Sequence, residues 1–235
     1  MITSRQNELV KEISKLHQRK HRNKKKLFIL EGYHLYEEAL KYAAIEYVFT
    51  TDQRVTGDNV QYVSEPVLEK LANTKSAQGI VTVCKYIESK PVKGNVLMCD
   101  KIQDPGNLGT LIRSALAFSI DTIVLDECVD IYNDKTVRST QGALFNINII
   151  QMSILEFMKN HPDYYYVGTD LSHHNLNDLE IKDKMAIIVG NEGQGIREEI
   201  LNQTNINVTI PIQNIDSLNV GVAGSILMHH IKNNT

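Results

Sequence analysis

Short apolar, β-rich runs alternate with stretches of helical spacing along nearly the whole chain. That alternation favours an α/β architecture, with helices packed against sheets. In the first part LFILEG, IEYVFTT and GIVTVCKYI read as strands, and HLYEEALKYA and VSEPVLEKLANT as helices. Runs at VLMCDKI, DTIVLDE, FNINIIQM, YYYVGTD, MAIIVGN and INVTIPI read as strands of a second part. The helices expected between and after them cover about 108–118, 134–144, 153–159, 196–203 and 217–232. Runs as short and apolar as TIVL and AIIVG suit a buried parallel sheet covered on both faces. SKPVKGN (89–95), with Pro91 and Gly94, reads as a linker. The expected division is an N-terminal domain over 1–90 and a larger domain over 95–235.

The net charge of −3 conceals an uneven distribution. Residues 1–90 carry +4 and residues 91–235 carry −7. The positive charge is concentrated in Lys11, Lys15, Arg19, Lys20, Arg22, Lys24, Lys25 and Lys26. Leu9, Ile13 and Leu16 recur at helical spacing beside them, which predicts a helix with one buried stripe. His17, Arg19 and Lys20 would face outward, leading into an exposed stretch at 21–26. A solvated charged helix and a phosphate-contacting arm both fit this pattern.

Other classes are disfavoured. No apolar run approaches the roughly 20 residues that span a bilayer. The segment MITSRQNELVKEISKLHQRK has no apolar signal-peptide core, so the expected compartment is the cytoplasm. Cys84, Cys99 and Cys128 are widely spaced and form no CxxC pair. His17 and His21 share a helical face but have no third ligand nearby, so no metal is expected. His173–His174 and His229–His230 read as surface or packing residues.

Three loops of the second part carry candidate chemistry. In DKIQDPGNLGTLIRSALAF (100–118), Asn107 can cap the following helix, and Arg113 offers a planar fork for carboxylate or phosphate. In AIIVGNEGQGIREEI (186–200), glycines follow a buried strand, but no Gly-Lys-Ser/Thr completes a phosphate loop. Glu192 within it opposes phosphate and suits a cation or a hydrogen-bonding role. In VTIPIQNIDSLNVGVAGSILMHH (208–230), Ser217 is an N-cap candidate. Gly221, Ala223, Gly224 and Ser225 form a small-residue face for another helix, a subunit or the chain itself.

Taken in order, DPGNLGTLIRSALAF, IVGNEGQGI and IPIQNIDSLNVGVAGSIL resemble the three motifs of the SpoU (TrmH-type) RNA ribose 2′-O-methyltransferases of the SPOUT class. The resemblance spans about 96–231, and RSTQGALF (138–145) resembles the segment between the first two motifs. The basic helix and LFILEG resemble, more loosely, the substrate-binding domain often found before this catalytic domain. The resemblance implies a C-terminal parallel sheet with a trefoil knot, preceded by a smaller α/β RNA-binding domain. It implies S-adenosylmethionine as cofactor, homodimers through the catalytic domain, and RNA as substrate, with ribosomal RNA favoured over transfer RNA. By position it assigns the catalytic roles to Asn107, Arg113, Glu192, Ser217 and Asn219. It places the cofactor against Gly190, Asn191, Gly193, Gly195, Ile210, Pro211 and Leu218, beside Thr169 and Asn219. The expected RNA contacts are Lys15, Arg19, Lys20, Arg22, Lys24, Lys25 and Arg138. Gln141, Gly221 and Gly224 stand where the family pattern leads one to expect alanine or another small residue. The alternatives are a transfer-RNA 2′-O-methyltransferase, a catalytically degenerate RNA-binding module that retains the cofactor site, and a nucleotide-dependent α/β enzyme using the 190–195 glycine loop. All five polar motif positions are filled, which counts against degeneration, and Glu192 and the missing phosphate-loop lysine count against the last.

Overall fold

The computed structural model describes residues 1–234, and the side chains of all of these except residues 171–173. Thr235 and the His173 side chain therefore lie outside the described residues. Helices α1–α9 are Glu8–Ser14, Arg19–Lys25, Tyr33–Tyr42, Glu65–Ala72, Pro105–Ala117, Asp134–Thr140, Ile154–Asn160, Glu198–Leu201 and Val220–Asn234. Strands β1–β10 are Leu27–Glu31, Ile45–Thr50, Val60–Tyr62, Ile80–Lys85, Val96–Asp100, Thr122–Asp126, Asn148–Gln151, Tyr165–Asn175, Met185–Val189 and Ile206–Thr209. No described helix is long and apolar enough to cross a membrane.

The chain forms two compact units, 1–88 with 130–146, and 89–129 with 147–234. The first contains a four-stranded sheet in the order β1-β4-β2-β3. β4 runs antiparallel to both β1 and β2, and β3 parallel to β2. Three-residue β3 has no sequence signal: VQY is too short to show a period, and only its sheet partner defines it. Ile13 and Leu16 of the expected stripe pack with Val10, Leu68, Leu71, Val81 and Val83 in one core, while Leu9 is only partly buried against it. Asn7 caps α1 by accepting from the N–H groups of Leu9 and Val10.

The basic stretch departs from expectation at two positions. It forms α2, ending at Lys26 in the left-handed conformation (φ 56°), and Arg22 on it is buried. The Arg22 guanidinium donates to Asp130 at 2.7 Å and to the Leu16 carbonyl at 2.7 Å. A buried guanidinium with these partners is not an RNA contact. His17 does not face outward either. Its Nδ1 lies 2.6 Å from Asp134 and its Nε2 2.9 Å from the Leu71 carbonyl. These two pairs, and the stack of Tyr132 on Tyr86, hold segment 130–146 in the first unit, whereas sequence continuity placed it in the second domain.

The second unit is built on a six-stranded, all-parallel sheet in the order β10-β8-β9-β5-β6-β7. Every residue of β5, β6 and β9 is buried, as expected for the central strands of a covered parallel sheet. One face packs against Ile154, Phe157 and Met158 of α7 and Ile200 of α8. Helix α5 starts one turn earlier than its apolar pattern suggests, with Asp104 as cap and Pro105 in its first turn. Helix α8 starts only at Glu198, because Arg197 just before it is held in a non-helical conformation.

Parallel sheets bind ligands at strand C-terminal ends, where the connections diverge to opposite sides. Here β5 is flanked by β6 and β9, and the loops leaving β5 and β9 emerge at the same edge.

Candidate active site

The loop after β9 turns back on itself. Asn191 and Gly195 exchange backbone hydrogen bonds of 3.0 and 2.9 Å, and Asn191 Oδ1 accepts from the N–H groups of Gly193 and Gln194. A Cβ on Gly190 would stand 2.2 Å from both Gly195 C and Ile196 N, closer than any real contact. Glycine at 190 is thus a steric requirement of the closed loop. Gly195 has φ +71°, which L side chains rarely adopt.

From this loop Glu192 reaches the segment after β5. Its carboxylate accepts from Asn107 Nδ2 at 3.0 Å, Asp104 N–H at 3.2 Å and Gln103 N–H at 3.4 Å. Burial raises its pKa, but these donors outweigh that effect and hold it below the ordinary carboxylate value. Asn107 Oδ1 in turn accepts from Asn219 Nδ2 at 2.8 Å. Asn219 Oδ1 accepts from the N–H groups of Gly221 (2.9 Å) and Val222 (3.3 Å), capping α9. The charged acceptor at one end and the helix amides at the other determine the orientation of both amide groups. Glu192, Asn107 and Asn219 thereby join three sequence motifs in one hydrogen-bonded chain.

Two capping assignments change. Asp104, not Asn107, caps α5 by accepting from Asn107 N–H at 2.9 Å. Asn219, not Ser217, caps α9, which starts at Val220. Both changes follow from the site: Asn107 is committed to Glu192, and Ser217 lines a cleft. The small-residue face of α9 packs on α5 of the same chain. A Cβ on Gly224 would lie 2.4 Å from a Leu111 methyl, and the Ser114 and Ser225 hydroxyls are 2.6 Å apart.

Arg113 is exposed on α5 and makes no hydrogen bond or ion pair among the described residues. Six residues along a helix displace it about 9 Å axially and about 120° around the axis from Asn107. Within the chain Arg113 has no contact with Glu192, whose hydrogen-bond donors are Asn107, Asn191 and the backbone of residues 103–104.

A cleft of about 430 Å³ opens beside the loop. That is within the range of sites for cofactor-sized molecules. Seven expected cofactor residues line it: Thr169, Gly190, Asn191, Gly193, Gly195, Ile210 and Leu218. Pro211 and Asn219 do not. Residues missed from the sequence supply apolar wall, among them Ile196, Leu201, Val208 and Ile212. Their spacing is that of core residues and carries no separate signal. The charged lining residues are the carboxylates Glu192 and Asp170, with no lysine or arginine among them. This lining opposes a polyphosphate and suits a ligand of net positive charge. S-adenosylmethionine, with a sulfonium and an ammonium against one carboxylate, fits these residues.

In the first unit Lys15, Arg19, Lys20, Lys24 and Lys25 are exposed, unlike Arg22. Lys25 pairs with Glu12, and Arg138 lies 3.6 Å from Glu31 while remaining largely exposed.

Comparison with known proteins gives consistent matches. Residues 94–229 match the SpoU rRNA Methylase family, and residues 7–82 match the MRM3-like substrate binding domain. The chain is similar to the 23S rRNA (guanosine(2553)-2′-O)-methyltransferase RlmP of Bacillus subtilis, at 37% identity over 98% of both chains. It is 30% identical to an uncharacterized tRNA/rRNA methyltransferase of Synechocystis, over 98% of this chain and 93% of the other. Among solved structures it resembles an AdoMet-bound rRNA methyltransferase from Sinorhizobium meliloti. The TM-score is 0.89 at 26% identity, covering 99% of this chain and 97% of that one.

Proposed function

Since the chain belongs to the SpoU rRNA methylase family and is an S-adenosylmethionine-dependent RNA ribose 2′-O-methyltransferase, we propose that its substrate is 23S ribosomal RNA and that Arg113, Asn107, Glu192, Ser217 and Asn219 serve the reaction. The observation that carries this reading is the hydrogen-bonded chain Glu192–Asn107–Asn219 at the edge of a cleft with acidic, apolar lining. The full-length similarity to a 23S rRNA enzyme supports the choice of RNA.

Bound S-adenosylmethionine supplies the electrophilic methyl group. Gly190, Asn191, Gly193, Gly195, Ile210 and Leu218 hold it, with Thr169 at the cleft wall. Ser217 lines the same cleft. Asn107, fixed by Glu192 and Asn219, presents an oriented edge to the incoming ribose. Arg113, free of internal partners, takes the adjacent phosphate through its fork and sets the 2′-oxygen in line. A guanidinium does not give up its proton near neutral pH, so the hydroxyl proton passes to a substrate phosphate or to water.

Lys15, Arg19, Lys20, Lys24, Lys25 and Arg138 contact RNA from the N-terminal unit. The protein acts as a homodimer through the catalytic domain. Leu116 on α5 and Val222 and Ile226 on α9, large apolar side chains left in solvent, support this. The trefoil knot implied by the motifs belongs to the same reading, supported by the shared cleft of loop 190–195 and segment 208–218. The enzyme works in the cytoplasm, where its ribosomal substrate is assembled.

The test is methyl transfer from labelled S-adenosylmethionine to unmodified total RNA, separated into ribosomal and transfer pools. Label in the 23S fraction, lost with Arg113→Ala, is the expected result. Label in transfer RNA alone overturns the substrate, and undiminished label with Arg113→Ala overturns the role of that residue.

A further inference from the structure

Arg197 closes the far end of the 190–196 loop, one residue before α8. Its backbone N–H donates to Asp100 Oδ2 at 2.8 Å and its Nε to Asp100 Oδ1 at 2.8 Å. Nη2 donates to Asp126 Oδ2, which also accepts from Ile154 N–H at 3.0 Å. Nη1 lies 3.3 Å from Glu199. Asp100 and Asp126 end β5 and β6 and face each other across the sheet register. Their side chains are 1% and 7% exposed. The planar guanidinium spans both carboxylates, which end adjacent strands.

The residues that follow Asp100 hold the other end of the same loop. Lys101 C=O accepts from Asn191 Nδ2 at 2.8 Å, and the N–H groups of Gln103 and Asp104 donate to Glu192. The loop is therefore fastened at both ends to the C-terminal end of β5, while its middle walls the cleft. Arg197 itself does not line that cleft.

We propose that Arg197 is a positioning residue for the cofactor: bridged between Asp100 and Asp126, it fixes the exit of the 190–196 loop and so governs the affinity for S-adenosylmethionine. Releasing that end leaves the loop to be ordered on binding, which costs affinity without touching the reacting atoms. Glu192 and Asn191 keep their own bonds to residues 101–107, so RNA binding and the methyl-transfer step do not depend on Arg197. The proposal rests on the methyltransferase reading above.

The experiment compares full-length wild type with Arg197→Met, Arg197→Lys and Asp126→Asn. Calorimetry gives the Kd for S-adenosylmethionine well below each melting temperature, and steady-state kinetics give kcat and both KM values. For Arg197→Met the cofactor Kd and KM rise at least about tenfold, with RNA KM and kcat within about threefold of wild type. Arg197→Lys, which reaches one carboxylate, falls between the two. Asp126→Asn keeps both bonds to Asp100, raises Kd by about threefold, and serves if Arg197→Met does not fold. Folded variants with wild-type cofactor Kd and only a lower melting temperature overturn the proposal, as does a kcat loss at unchanged Kd. A wild type that binds no S-adenosylmethionine overturns the methyltransferase reading and this one with it. Binding by wild type and variants alike overturns this one alone.

Discussion

Asn219 donates its side-chain amide to Asn107 Oδ1 at 2.8 Å, across 112 residues of sequence. Asn107 passes the polarity on by donating to Glu192, so each amide has only one workable orientation. Asn107→Asp keeps the acceptor for Asn219 but sets a second carboxylate against Glu192. The loss of a hydrogen bond to a charged group costs about 1.5–3 kcal/mol, so kcat/KM should fall about 10- to 100-fold. Part of the activity should return as the pH is lowered and the two carboxylates share a proton. A pH–rate profile of the variant checks this; a profile parallel to wild type contradicts it.

Two nearby glycines should respond oppositely to alanine. At Gly190 the added methyl meets backbone at 2.2 Å, which cannot yield without opening the loop. Gly190→Ala should cost at least about 1–3 kcal/mol of stability and abolish measurable cofactor binding. At Gly193 the nearest atom is Asn191 Oδ1 at 3.7 Å, an ordinary contact. Gly193→Ala should leave the melting temperature nearly unchanged. Thermal denaturation and calorimetry on both variants decide it.

Arg22 and its neighbours Lys20 and Lys24 should separate by what they damage. Arg22→Gln leaves Asp130 without its closest partner in a buried setting, for a loss of about 3–5 kcal/mol. Lys20→Ala and Lys24→Ala should leave stability unaltered but weaken RNA binding. Each should lower the slope of log K against log salt by about 1. Denaturant titration and filter binding at several salt concentrations distinguish the two effects.

His17 should make the first unit sensitive to pH. Burial lowers its pKa, but the Asp134 carboxylate and the Leu71 carbonyl outweigh this and raise it above 6.5. Both ring nitrogens face acceptors, and only the imidazolium donates to both. A raised folded-state pKa contributes stability fully below pH 6.5, lost as the pH rises through the folded value. Unfolding measured from pH 5.5 to 9 should show this loss in wild type, on the order of 1.5–3 kcal/mol, the ordinary worth of hydrogen bonds to a charged group. Asp134→Asn should flatten that part of the profile. A difference between wild type and variant that is constant with pH would contradict the assignment.

Much of the site was legible as residue types in sequence. The polar residues at 107, 192 and 219 stand out because each breaks a pattern of glycine or apolar residues at a strand-to-helix turn. Their mutual arrangement was not. Asp104 and Asn107 are comparable capping residues by local chemistry, and Ser217 and Asn219 likewise. Partners 85 and 112 residues away decide between them. Arg22 looks like any other member of a basic run until Asp130, 108 residues on, is placed beside it. Asp100 and Asp126 gave only the weak signal of an acid ending an apolar strand, and Arg197 gave none.

By itself the sequence determined most of the strands and helices, β3 and α2 apart, because hydrophobic period and turn chemistry are properties of neighbouring residues. The buried central strands, the glycine loop and the small-residue face of α9 all follow from that local text. Only the tertiary structure decided which polar groups are sequestered and which remain free for RNA or cofactor. The physical reason is that a buried charge or amide must find its partner, and for Arg22, Arg197 and Asn107 that partner lies on a distant segment.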